Sequence, residues 1–140
     1  MLATVATGVA VWALVRSGEN RSTVSAMESY EAKARVCTAF KTVRSAVSLQ
    51  TNADLGVNPV AKKAVAGNAR LAMFGGGMYL LNRLDPSTPP DLAEAVRSVA
   101  DDLSDIGMSA LAEVPSSDPA QADRLKDAEA TSKRIADMCA

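Results

Sequence analysis

The sequence predicts an all-α protein in which an N-terminal transmembrane or anchor helix precedes an up-down-up-down four-helix bundle. Three observations carry this expectation. Alanine, valine and leucine dominate the 140 residues and β-branched runs are rare after residue 16, a composition that favours close-packed helices over sheet. Four later stretches repeat apolar residues every three or four positions, the helical period. Short polar or proline-rich breaks separate them, as between the neighbours of a simple bundle.

The first element is LATVATGVAVWALV, residues 2 to 15, which holds no charged side chain and stops at Arg16. As a helix its 14 residues rise roughly 21 Å, whereas a hydrocarbon core is about 30 Å thick. A span that short, beginning at the first residue, leads us to expect a truncated or late-assigned start. Thr4, Thr7 and Gly8 are the only interruptions, all tolerable in lipid, and Trp12 suits an interfacial position. Residues 1–16 are therefore read as a membrane anchor carried by Leu2, Val5, Val9, Val11, Trp12, Leu14 and Val15. Two alternatives stand beside it. A signal-like leader would need a basic start and an A-x-A-like cleavage site, which we do not find. A buried core helix would normally show a polar face. Ala6, Gly8, Ala10 and Ala13 are small enough for close helix contact in lipid.

Residues 17–23 read as a polar joint, with Gly18 and Asn20 favouring a bend, and 24–140 as the bundle. Its first helix is expected over about Val24 to Leu49, with Val36, Phe40, Val43 and Val47 on one face. Residues 51–56 form a loop. The second helix is expected from Asn58, a cap followed by proline, to Leu84. Its inner row is Ala61, Val65, Ala69, Ala72, Gly76, Tyr79 or Leu80, and Leu84. Residues 85–90, DPSTPP, break the chain. The third helix is expected from near Pro89 to Val114, capped by Thr88, with Asp91 in its first turn. Leu92, Val96, Val99, Leu103, Ile106 and Ala110 give it the cleanest amphipathic pattern of the chain. The fourth starts at Asp118-Pro119-Ala120-Gln121, which reads as a capping box, and turns Ala122, Leu125, Ala128, Ser132, Ile135 and Cys139 inward.

Composition excludes much chemistry. The absence of histidine removes the usual general base and rules out Ser-His-Asp and Cys-His arrangements. Two cysteines cannot alone build a structural zinc site. A net charge of −1 and few aromatic residues offer nothing to nucleic acid. The expectation is a non-enzymatic protein without cofactor or metal.

Cys37 and Cys139 both lie beside apolar rows. Antiparallel packing of first and last helices permits a disulfide without requiring one, and two separate buried thiols are the alternative. The disulfide is the preferred reading. It places the body in an oxidising compartment, against the positive-inside preference set by Arg16 and Arg21. Basic residues upstream of the anchor would remove that conflict.

Phe74-Gly75-Gly76-Gly77-Met78 lacks the G-x-x-x-x-G-K-[ST] pattern of a phosphate loop. Ala72, Gly75, Gly76 and Gly77 are instead read as a close helix contact, with a hinge or small-ligand pocket as the alternative. Asp101, Asp102 and Asp105 are read as a solvated face, and Lys62, Lys63 and Arg70 as a thin basic stripe.

The alanine-rich style, the single N-terminal apolar segment, the phrase AKARVCTAFKTVRSAVSLQTN and the terminal ADMC resemble a group of uncharacterised exported proteins of mycobacteria and related actinobacteria. The resemblance implies a single-pass plasma-membrane protein with a small extracytoplasmic helical domain, and it transfers no active residue. The expected function is an interaction module, scaffold or accessory subunit of a cell-envelope membrane complex. Its partners would be the bilayer and another membrane or envelope protein. The alternative is a lipid or other apolar ligand held between the helices.

Overall fold

The computed structural model describes residues 6–52 and 56–140, with side chains from Thr23 onward. Four helices make up the described chain: α1 (Ala6–Thr51), α2 (Pro59–Leu81), α3 (Pro90–Leu111) and α4 (Pro119–Met138). No strand occurs among the described residues.

Proline placement explains most boundaries. Pro59, Pro90 and Pro119 open α2, α3 and α4, where a missing N–H costs nothing. Pro86, Pro89 and Pro115 lie in the connections. None lies between 6 and 51, and α1 runs unbroken through 46 residues. The joint expected at 17–23 is therefore helical. A glycine such as Gly18 costs about 1 kcal/mol against alanine inside a helix, too little to end one. Leu2 and Val5 of the expected anchor lie outside the described residues, as do the side chains of Val9, Val11, Trp12, Leu14 and Val15. Among the described residues, no helix is long and apolar enough to cross a membrane.

The caps divide into those read correctly and those not. Asn58 Oδ1 accepts from the N–H groups of Val60 and Ala61 at 3.0 and 3.2 Å. Asp118 Oδ1 accepts from Ala120 and Gln121 at 3.1 and 3.2 Å. Thr88 does not cap α3. Its buried hydroxyl accepts from Asp85 N–H at 3.1 Å, and the cap position falls to Pro89, which makes no side-chain bond. The Asp85 carboxylate accepts in turn from Ser87 N–H at 2.9 Å, which locks the turn before α3. Nor does Gln121 reach back to close a capping box. Its amide donates to Ile106 O at 3.1 Å, tying the start of α4 to α3.

The core sits where Val36, Phe40 and Val43 of α1 meet Leu80 of α2, Leu92, Val96 and Val99 of α3, and Ile135 of α4. The expected rows of α1 and α3 are thus the ones the fold buries. In α2 only Gly76, Gly77 and Leu80 are buried, and its first half lies no deeper than half-buried. In α4, Ala122 and Leu125 are exposed, contrary to expectation, because the buried amide of Gln121 takes the inward position there. The packing interfaces are α1 with α2, α2 with α3, and α3 with α4.

Candidate functional site

Cys37 and Cys139 form a disulfide, with Cα atoms 5.6 Å apart and 102 residues between them in sequence. The bridge fastens the end of α4 to the middle of α1, beside Val36 and Ile135. Direct α1–α4 packing is otherwise slight.

The glycine run serves close contact at two of its three positions. A Cβ at Gly76 would lie 2.7 Å from Val43 Cγ1, so α1 fills that space. A Cβ at Gly77 would lie 2.5 Å from Ala100 O and collide with Ser104 Oγ, so α3 fills the other. Ser104 Oγ donates to Ala100 O at 2.8 Å within the same crossing. Gly107 of α3 makes a second close approach, its missing Cβ 3.1 Å from Arg70 O and 3.2 Å from Phe74 N. That glycine was not singled out in the sequence; its position four residues after Leu103 on the inner side of the helix was the available signal. Gly75 has nothing near it and faces open space, and Ala72 is half-buried. At Gly76 and Gly77 the space a side chain would take is filled by the neighbouring helices.

The other face of α2 carries a feature that the sequence reading passed over. Val60, Ala64, Gly67, Leu71, Phe74, Met78 and Leu81 are all exposed and follow one another at alternating steps of four and three. Val60 and Leu71 show 76% and 68% of their surfaces to solvent. The spacing is that of a helix seam made for a second helix. Helix α2 is apolar on both sides: the row from Ala61 to Leu80 packs inward while this one is left exposed.

A groove of about 920 Å³ opens between the C-terminal half of α1 and α4. Phe40, Val43 and Val47 line one side, Ala130 and Ala136 the other, and Leu103 of α3 reaches it from below. Arg44, Lys126, Lys133 and Glu129 contribute the charged lining.

The acidic cluster is not wholly solvated. Asp101 and Asp105 are exposed, and Asp105 Oδ2 lies 3.4 Å from Arg124 Nε of α4. Asp102 is half-buried. Desolvation raises its pKa above the usual 3.8, the Asp127 carboxylate adds to the rise, and Arg124 opposes it. Asp85 Oδ2 pairs with Arg35 Nη2 at 3.1 Å. Arg83 stacks 4.7 Å above the Tyr79 ring. Lys62 and Lys63 are exposed and Arg70 half-buried. Among the described residues, no group of three or more acidic, cysteine or histidine side chains is placed to hold a metal ion.

No protein-family model matches the chain, and neither a curated protein nor a solved structure does.

Proposed function

We propose that the chain is a non-enzymatic, membrane-anchored interaction module, a scaffold or accessory subunit of an envelope membrane complex. In this reading residues 1–16 hold it to the plasma membrane and the up-down-up-down bundle stands on the extracytoplasmic side. The observation that carries it is the exposed seam of α2, where Val60, Ala64, Gly67, Leu71, Phe74, Met78 and Leu81 recur at alternating steps of four and three. A soluble monomer rarely leaves a contiguous apolar stripe uncovered, and such stripes mark partner surfaces. Seven positions at alternating four and three spacing suit a partner helix laid alongside, with Gly67 and Gly75 allowing close approach.

Other features agree. The Cys37–Cys139 disulfide favours an oxidising compartment. The opposed pairings Gly77 with Ala100 and Gly107 with Arg70 favour antiparallel neighbours, as an up-down bundle requires. The resemblance to exported actinobacterial proteins points the same way.

The test is a photo-crosslinking residue placed at Leu71 or Met78 in the full chain, expressed in its native membranes. The reading expects one dominant membrane-protein adduct from both positions, and none from the exposed Ser98 of α3. Equal labelling at all three positions, or recovery of the chain from the aqueous fraction without an adduct, overturns it.

A further inference from the structure

We propose that the α1–α4 groove binds a long-chain fatty acid, with its carboxylate between Arg44 and Lys133 and its acyl chain along the apolar floor. The inference is independent of the α2 seam and of any partner docked there.

The groove exists because α1 and α4 are joined at one end and hardly touch beyond it. Arg44 lies seven residues after Cys37, and Lys133 six residues before Cys139. At 1.5 Å per residue both stand about 10 Å from the bridge, one on each wall. Phe40, Val43 and Ala136 line the groove between these cations and the bridge, Val47, Ala130 and Leu103 line it beside them, and Ser48, Thr51 and Asn52 close its far end. The stretch of α1 that borders it, Phe40 to Thr51, is roughly 17 Å long. An apolar trough with charge at its rim is the shape of a site for a molecule with one oily tail and one polar head.

The charge fixes the head. Three cations and one carboxylate border the groove. None of Arg44, Lys126 and Lys133 is in an ion pair among the described residues. A neutral lipid would leave that excess unmatched, and a cationic amphiphile would meet repulsion. Arg44 can present a planar fork to a carboxylate while Lys133 adds a point charge.

The volume fixes the size. About 920 Å³ lies inside the range of small-molecule clefts, about 300–1,000 Å³. Three turns of a helix about 10 Å wide fill about 1,300 Å³, which makes a single acyl chain a better fit than an acidic helix.

The experiment uses the full chain with its disulfide intact and free of lipid-like detergent. It is labelled with a diazirine-bearing fatty acid, and separately with the alkylamine of the same length. Adducts are mapped by peptide mass spectrometry. The proposal expects labelling confined to peptides 40–52 and 126–136, competed by unlabelled fatty acid, with competition strengthening about fourfold per added methylene. The amine should label several-fold less, since each rim charge shifts occupancy a few-fold. Ala130→Trp, at an exposed position lining the groove, should abolish labelling while leaving the helical circular dichroism unchanged. Arg44→Ala with Lys133→Ala should reduce it several-fold and erase the preference for carboxylate over amine. Equal labelling by the two probes overturns the proposal, as do adducts centred on the α2 seam or insensitivity to Ala130→Trp. Labelling that emerges only when an oligomer is diluted to monomer also overturns it, because a second copy would then be the occupant.

Discussion

Glu113 adopts φ +62°, in the left-handed region that glycine occupies with least cost. It ends α3 in a Schellman arrangement. Val114 N–H donates to Ser109 O at 2.9 Å, and Glu113 N–H donates to Ala110 O at 3.3 Å. Glu113→Gly should therefore stabilise the fold by about 1 kcal/mol, the order of the left-handed penalty, read as a higher denaturation midpoint with an unchanged slope. Asp102 gives a pH signature. Its folded pKa is raised by burial first and by neighbouring carboxylates next. The fold therefore binds that proton more tightly than the unfolded chain does. Its contribution is complete below the ordinary value of 3.8 and is lost as pH rises through the folded pKa. Asp102→Asn should melt higher than the parent at pH 7 and no higher at pH 3. A gap of equal size at both values would show that the carboxylate is not the cause. Neither residue was legible beforehand. Composition cannot show which side chain a turn forces into positive φ, nor which of three aspartates a neighbouring helix covers.

At the scale of the element, the glycines of α2 separate by what faces them. Gly75→Ala meets open space and should gain up to about 1 kcal/mol from helix propensity. Gly77→Ala drives a methyl against the backbone oxygen of Ala100 and should destabilise, by about 1–3 kcal/mol, in line with overpacked sites. Urea denaturation of the pair checks both signs in one experiment. Helix existence, order and the buried rows of α1 and α3 could be read from periodicity because each has one clear apolar face. The boundaries of α2 and α4 were read well at proline-marked starts, where Asn58 and Asp118 do cap. On α2 periodicity picked the inward row, with Gly76 and Leu80 buried and Ala61, Val65, Ala69, Ala72 and Leu84 half-buried, but one apolar row gave no sign that a second stripe lies exposed on the other side. The cap reading failed on Thr88 because two prolines follow it, and its hydroxyl bonds back into the preceding turn instead.

Across the whole molecule, the disulfide closes a separation of 102 residues. In the chain-entropy picture such a bridge contributes about 4–5 kcal/mol, much of the stability of a domain this size. Cys37→Ser with Cys139→Ser should lower the unfolding free energy by about that amount, measured by chemical denaturation, and reductant should have no further effect on the double variant. The pairing was preferable from sequence because first and last helices can adjoin, but the opening between those same helices was not. It depends on α4 leaning on α3 through Gln121 and Arg124 rather than on α1. One dimension of α1 sets a constraint on anything that engages this protein. From Ala6 to Ala32, the first fully enclosed residue among those whose side chains are described, the helix advances about 39 Å. Whatever grips its leading end holds the packed body at that standoff. A tilt of a few degrees there sweeps the far helices sideways by several ångströms, as a lever would.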